Sequence, residues 1–465
     1  MKKIIKKFWS LEEKYFVLWT SLFFYFSLYF SPRNRVFFLV LLTFLFVLWK
    51  RLGLKRALFV AYLLCLPFEK GKGFPFALVP DYLTVWNKPY EFWLTITFAD
   101  CFYFGLLFLI LREEIVKKWR VERVKVRKGD FFLFGLLFFS FFSVFFSRFR
   151  TVSFLGFLRL LRMVSVYFFI QKIYFGSFPL IMAASLFFQG VWATLQVLHR
   201  GPLGRDIEQL GALFSPYGHV AAEDITLLRA QGTFDHPNTL ASFISTLLPF
   251  VVLKIFDPQI SKNEKRIFWI SFFVGLLGLL FSASRAAWVV AFLAMLFLGF
   301  FLHRRKKLKI SKNWILATLI LFLVFFPLLI LPRIISLYQG FEQYGSGYYR
   351  LDLIKKAIVL AKRHPLGIGL GVFPAALIYE FGEFFTYPAP VHNILVQVWA
   401  ATGILGLISF LLFLIFTYKR FSLTFPKSGA FFATLSFLGV ASFYPFLLAP
   451  NIFEYFWLFL GIMVR

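Results

Sequence analysis

Two cysteines in 465 residues exclude a disulfide framework as the source of this chain's stability. Cys65 and Cys101 lie in or beside apolar runs and show no metal-ligand spacing. Carboxylates are scarce as well, 22 Asp and Glu against 51 Lys and Arg, and few of them are paired. Glu69, Asp81 and Glu91 in the first sizeable polar connection are too widely spaced to share a divalent ion. Asp206 with Glu208, and Glu223 with Asp224, lie in a later connection and read as a solvated face, so no metal and no cofactor are expected. The first apolar run lacks a small-residue cleavage site and reads as a retained helix rather than a signal peptide. Charged residues make up only 16% of the chain.

What fills that space is apolar. Hydrophobic residues reach 60%, aromatics 22% and mean hydropathy +0.76, where soluble domains hold roughly 45–50% apolar residues. A hydrocarbon core roughly 30 Å thick needs about twenty apolar residues per spanning helix, and about fourteen such runs recur along the chain. They fall near residues 15–31, 36–49, 57–68, 92–111, 131–147, 153–173, 178–198, 238–256, 267–283, 286–302, 314–331, 394–417, 430–447 and 452–464. The expected fold class is an all-α polytopic membrane protein of about 12–14 transmembrane helices.

A net charge of +29 invites a nucleic-acid reading, but the placement of the charge argues against one. Lys and Arg cluster at alternate connections: the N-terminus, Lys50–Arg56, Arg112–Lys128, Lys262–Arg266, Arg304–Lys312 and Lys419–Lys427. By the positive-inside rule these face the cytoplasm, and both termini come out cytoplasmic. Four connections then lie outside: 69–91, 199–237, the turn Ser282–Arg285, and 332–393. Five of the six histidines, His199, His219, His236, His364 and His392, fall in them. The chain accordingly divides into an N-terminal bundle (1–331, with outer loop 199–237), a large outer loop (332–393) and C-terminal helices (394–465). Membrane lipids are partners on this reading; nucleic acid is not.

The last outer loop is too long for a plain connection. Within it, Tyr349–Arg363 places Leu351, Ile354, Ile358 and Ala361 on one helical face, with Lys355, Lys356, Lys362 and Arg363 elsewhere. That pattern predicts an amphipathic helix across the outer surface. Pro365 ends it, and Gly367, Gly369 and Gly371 supply a permissive turn.

Four short motifs share this outer side. The first, Arg229-Ala-Gln-Gly-Thr-Phe-Asp-His236-Pro-Asn238, leads into an apolar helix with Asn238 as the expected N-cap. The second is Ser282-Ala-Ser-Arg285, the third Gly347-Tyr-Tyr-Arg350, and the fourth Val391-His392-Asn393. Taken singly, each fits a cap or an interfacial arginine. Taken together, they gather three permanent cations and one base of ordinary pKa near 6.5 at one membrane face, which suits chemistry on a lipid diphosphate.

The order Arg229…Gly-Thr-Phe-Asp-His-Pro-Asn, Ser-Ala-Ser-Arg285, Arg350…His364-Pro-Leu-Gly-Ile-Gly-Leu-Gly371, His392-Asn393…Thr402-Gly403 resembles the O-antigen ligase and polymerase superfamily across roughly residues 225–415. Members of that superfamily often carry a glutamate just before the Thr-Gly; Ala401 stands in that region here, which removes an acidic partner from it. The resemblance implies a metal-independent membrane glycosyltransferase of the GT-C type. Its donor would be an undecaprenyl-diphosphate-linked glycan, and its active site would face the periplasm from the bacterial inner membrane. It also implies His392 as the catalytic base and Arg229, Arg285 and Arg350 as diphosphate-binding residues, with His236, Asn238 and Asn393 in support.

Ligase members transfer to a lipid A–core sugar hydroxyl and polymerase members to another lipid-linked glycan. The basic outer loop favours the ligase, although the same lysines suit a second lipid diphosphate. A different class, a lipid-linked oligosaccharide transporter, would place charges along a mid-membrane pathway. Arg159 and Arg162, one turn apart on one helix face, are the residues that reading would use.

Overall fold

The computed structural model describes residues 10–30, 34–68, 71–75, 93–118, 127–204, 219–222, 225–304, 346–382, 390–420, 425–443 and 450–465. Helices dominate. In chain order they are α1 (Glu13–Phe30), α2 (Asn34–Leu52), α3 (Leu54–Cys65), α4 (Phe98–Lys118), α5 (Lys128–Phe146), α6 (Arg150–Ile173) and α7 (Phe178–His199). There follow α8 (Pro237–Ile255), α9 (Lys262–Phe281), α10 (Arg285–Arg304), α11 (Ser346–Arg363), α12 (Phe373–Phe381), α13 (Ile394–Tyr418), α14 (Phe425–Ala441) and α15 (Pro450–Val464). Where its residues are described, each apolar run read from the sequence lies largely on a helix; run 314–331 is outside the described residues. The acidic residues Glu69, Asp81, Glu91, Asp206, Glu208, Glu223 and Asp224 are outside them too.

Two connections carry short antiparallel hairpins. Strand β1 (Gly71–Pro75) pairs with β2 (Trp93–Thr97), and β3 (His219–Ala222) with β4 (Ile225–Leu228). The first corrects the sequence reading, in which the run from residue 92 was helical throughout. The chain stays extended to Thr97, and the helix starts only where Asp100 accepts from the Thr97 backbone N–H (2.6 Å) and hydroxyl (2.8 Å). Local capping chemistry thus overrides apolar continuity.

Six helices, α5, α6, α7, α8, α10 and α13, are long and apolar enough to cross a membrane among the described residues. The remaining apolar helices are shorter or open on charged turns. Lipid as solvent explains the side chains these helices turn outward. On α5, Phe131, Phe134, Phe138, Phe141 and Phe145 are exposed at helical spacing, and on α10 so are Val289, Leu293, Leu296 and Phe300. Against water such stripes would be unfavourable; against hydrocarbon they are neutral.

At the centre stands α8, 94% buried along its spanning window, packed by α7, α9, α10 and α14. Close approach between α7 and α9 depends on small residues. A Cβ on Gly278 would lie 2.9 Å from the Cα of Gly190, and one on Gly275 would lie 2.6 Å from a methyl of Leu186. In lipid, where burial of apolar surface does not drive helix association, such backbone proximity is a main source of packing energy.

Deep in the bundle Arg162 of α6 forms ion pairs with Asp100 of α4 (2.6 Å) and Glu454 of α15 (2.6 Å). Tyr62 of α3 donates to the same glutamate, and the Arg162 guanidinium lies 5.6 Å from the Tyr103 ring centroid. Four helices are therefore fastened around one cation, which assigns Arg162 to bracing the bundle.

Candidate active site

The Arg229 motif begins where β4 ends and passes into the protein rather than along its surface. Ala230, Gln231, Thr233 and Phe234 are fully buried. A buried loop must find partners for every backbone donor, and this one does so without joining a sheet. The Ala230 N–H donates to the Phe281 carbonyl at the end of α9 (2.9 Å). The N–H groups of Gln231 and Gly232 donate to Oε1 of Gln196 (3.2 and 2.9 Å), and that of Thr233 to Oε1 of Gln189 (3.1 Å).

Arg229 itself donates from Nε to the Ser282 carbonyl (3.0 Å) and from Nη2 to Oδ1 of Asn238 (2.7 Å). One guanidinium thus joins the first motif to the second. Asn238 is not the N-cap that the sequence suggested. His236 holds that place, its Nδ1 accepting from the Asn238 N–H (3.0 Å), with Pro237 as the first helical residue. Proline at that position needs no N–H partner, which moves the cap two residues upstream and turns the asparagine side chain toward Arg229. Thr239 donates to Asp235 (3.1 Å) beside it.

The Ser282–Ser284 turn is buried rather than solvated, with Ala283 at φ 49°. Ser282 donates to the Leu279 carbonyl (2.6 Å), and Trp288 Nε1 donates to the same oxygen (2.7 Å). Arg285 follows at once as the first residue of α10.

Arg350 sits in the first turn and a half of α11. That helix is amphipathic as expected, but its buried face is rotated from the one read off the sequence. Leu353, Ala357, Leu360 and Ala361 are buried, while Leu351 is 50% exposed. The buried set packs on α12, the glycine turn and α13. Partners on two sides, not hydropathy alone, chose the face.

His392 is half-buried just before α13, whose N-cap is Asn393; its Oδ1 accepts from the N–H groups of Leu395 and Val396 (both 3.1 Å). The His392 ring is tied to the Pro390 carbonyl. Burial, and next the positive charge of Arg350, push its pKa down to about 4, well below the 6.5 assumed from sequence. Arg350 lies within charge-interaction range of Arg285 as well. Arg229 is thus hydrogen-bonded to Ser282, three residues before Arg285, and Arg350 lies within charge-interaction range of both Arg285 and His392.

The glycine turn performs a task invisible in composition. Helix α13 is broken at Gly403 (φ 75°, ψ 178°). The Ala400 and Ala401 carbonyls accept from Ile368 (2.9 Å) and Gly369 (3.0 Å), while the Ile404 N–H donates to the Pro365 carbonyl (3.3 Å). The segment after α11 therefore docks edge-on into a helix break. Ala401, where an acidic residue was missed, contributes its backbone oxygen. His364 meets Glu380 of α12 at 2.9 Å, and Tyr379 lies 3.5 Å under the Arg148 guanidinium.

Sequence reasoning did not find Gln189 and Gln196. Their signal, two glutamines seven residues apart within an apolar helix, was present and went unused. Among the described residues no group of three or more His, Cys, Asp or Glu side chains is placed to hold a metal ion.

Comparison with known proteins adds one match. Residues 270–411 match the family model described as O-antigen ligase, consistent with the O-antigen ligase and polymerase superfamily. The matched stretch contains Arg285, Arg350, His392 and the broken helix; Arg229 and His236 lie upstream of it. No curated protein matches the chain.

Proposed function

We propose that this protein is an O-antigen ligase-like inverting glycosyltransferase. It would move glycan from undecaprenyl diphosphate to a lipid A–core sugar hydroxyl on the periplasmic side of the bacterial inner membrane. The observation that carries this reading is the junction of the Arg229–Ser282 bond, Arg285 and Arg350 with His392.

In this reading a neutral His392 accepts the proton of the acceptor hydroxyl. The hydroxyl oxygen bonds to the anomeric carbon as the bond from that carbon to the diphosphate oxygen breaks, and attack opposite the leaving group inverts the centre. The electron pair leaves with the diphosphate. Arginines stay charged and offer planar forks that match phosphate oxygens, so Arg229, Arg285 and Arg350 stabilise the charge that grows there. His236, Asn238 and Asn393 hold these groups in place through helix caps and the Asn238–Arg229 bond.

The low pKa of His392 fits this sequence of events. An anionic diphosphate next to Arg350 offsets the like charge, so the base strengthens when the donor is bound. No metal takes part in the scheme. Loop 332–393 belongs to the periplasmic face and both termini to the cytoplasm, following the basic connections.

The test is glycan transfer by the purified protein in nanodiscs, given undecaprenyl-diphosphate glycan and either lipid A–core or a second lipid-linked glycan, with His392→Ala alongside. Transfer to lipid A–core that requires His392 supports the ligase. Ladders formed from lipid-linked glycan alone make it a polymerase, and full activity in His392→Ala removes the catalytic reading.

A further inference from the structure

The buried segment Ala230–Thr233 reaches the site without a regular element to carry it, and two side chains take the place of that element. Gln196, fully buried in the last turn of α7, accepts two consecutive backbone N–H bonds on Oε1 and donates from Nε2 to the Gly232 carbonyl (2.8 Å). Gln189, equally buried two turns earlier, accepts from the Thr233 N–H and donates to the Thr233 hydroxyl (2.6 Å). That hydroxyl in turn donates to the Pro67 carbonyl past the end of α3 (2.8 Å). Each amide thus pairs with the loop as a neighbouring strand would. Gly232 is at φ 63°, and a Cβ there would run into Gln189 Oε1, so chain and clamp fit only together.

We propose that Gln189 and Gln196 are positioning residues for the leaving-group end of the site. They fix the register of the loop, and through it hold Arg229 against Ser282 and Asn238. The inference rests on the reading above that Arg229 binds the donor diphosphate. Neither glutamine touches the reacting atoms; both act through the backbone between residue 230 and residue 233.

The two amides differ in a way that can be tested. Gln196→Glu keeps the acceptor for two N–H groups but turns a carboxylate oxygen onto the Gly232 carbonyl, which has no proton to offer. In Gln189→Glu the new oxygen meets a hydroxyl, which can rotate away from Pro67 and donate. Gln196→Glu is therefore the damaging change and Gln189→Glu the mild one. A displacement of about 1 Å at a charge-stabilising group costs on the order of a hundredfold in rate.

The experiment measures kcat and KM for transfer, and binding of undecaprenyl diphosphate, in nanodiscs. It compares wild type, Gln189→Glu, Gln196→Glu, Gln196→Met, Arg229→Lys and the double variant Gln196→Glu/Arg229→Lys. The expected result is a fall in kcat for Gln196→Glu, a smaller one for Gln189→Glu, and a double variant no worse than the poorer single one, because both changes damage the same arginine. Multiplying losses, or Gln189→Glu as damaging as Gln196→Glu, overturn the positioning role. If Gln196→Glu does not fold, Gln196→Met carries the same comparison. A wild type that neither binds the lipid nor transfers glycan removes the functional reading, and the inference goes with it.

Discussion

The backbone N–H of Gly369 donates to the carbonyl of Ala401 at 3.0 Å, across a break in a membrane-spanning helix. Two segments that the chain order separates are thereby made into one unit. Inside a bilayer a broken helix leaves carbonyls that only protein can satisfy, and here the glycine turn satisfies them. His392 and Asn393 open the same helix about two turns upstream, so the turn also fixes the platform on which the base stands.

Substitution at that junction is therefore expected to be costly. A Cβ on Gly367 would lie 2.7 Å from the Gly403 nitrogen, and one on Gly403 would lie 2.8 Å from the Leu366 carbonyl carbon. Both residues have positive φ. Gly367→Ala and Gly403→Ala should each lose about 1–3 kcal/mol from backbone strain alone, read as a lower midpoint in detergent thermal unfolding. Gly299, with open space around its Cα, is the control: Gly299→Ala should leave the midpoint unchanged or slightly raised.

The position of His392 sets the pH response. Below its pKa the ring holds a proton and cannot accept another, so kcat/KM, which reports the free enzyme, should fall as pH drops through about 4 rather than near 6.5. Arg350→Ala removes one of the two causes of the depression and should shift the acid limb upward. Burial, the larger cause, remains and keeps that limb below the ordinary histidine value. An unmoved limb in Arg350→Ala would show that the two charges do not communicate.

Charge and shape are separable at the arginines. Lysine keeps the charge of Arg285 or Arg350 but loses the planar fork. If both act as bidentate phosphate ligands, Arg→Lys should lower kcat/KM on the order of tenfold, and Arg→Ala by roughly a hundredfold or more. Near-normal turnover in the lysine variants would leave only a diffuse electrostatic role.

Asn393→Ala tests the platform from the other side. It removes the acceptor for two N–H groups at the start of α13, a loss of about 1 kcal/mol. Because His392 is the adjacent residue, turnover should drop further than this modest change in stability accounts for. Asn393→Asp restores a capping acceptor and should recover the stability.

Much of this was legible in the sequence. Helix positions followed from runs of apolar residues, and the four motifs expected on the outer side are where Arg229, Arg285, Arg350 and His392 were proposed. What escaped was set mostly by partners distant along the chain. The buried face of α11 follows from α12 and α13, neither of which periodicity within residues 349–363 can register. The cap at His236 was hidden because asparagine is the commoner N-cap, whereas Pro237 decided the matter. The burial of residues 230–234 could not be read from their polar composition, since their hydrogen-bond partners are Gln189, Gln196, Pro67 and Phe281. The depressed pKa of His392 likewise came from its burial and then from the charge of Arg350, both set by the fold.

The Asp100–Arg162–Glu454 cluster bears on the order in which the bundle can close. Arg162 enters the membrane with α6, when of its two carboxyl partners only Asp100 of α4 has been made; Glu454 arrives with α15. Asp100 balances the charge of Arg162, but among the described residues Arg162 Nη2 and the Tyr62 hydroxyl have only Glu454 as acceptor. Buried donors without one are unfavourable, so the earlier helices hold an unsettled site until α15 docks. That docking gives Arg162 Nη2 and the Tyr62 hydroxyl a shared acceptor, the Glu454 carboxyl. A chain truncated before Pro450 should accordingly be recognised and degraded as incomplete, although every residue of the proposed active site is already present.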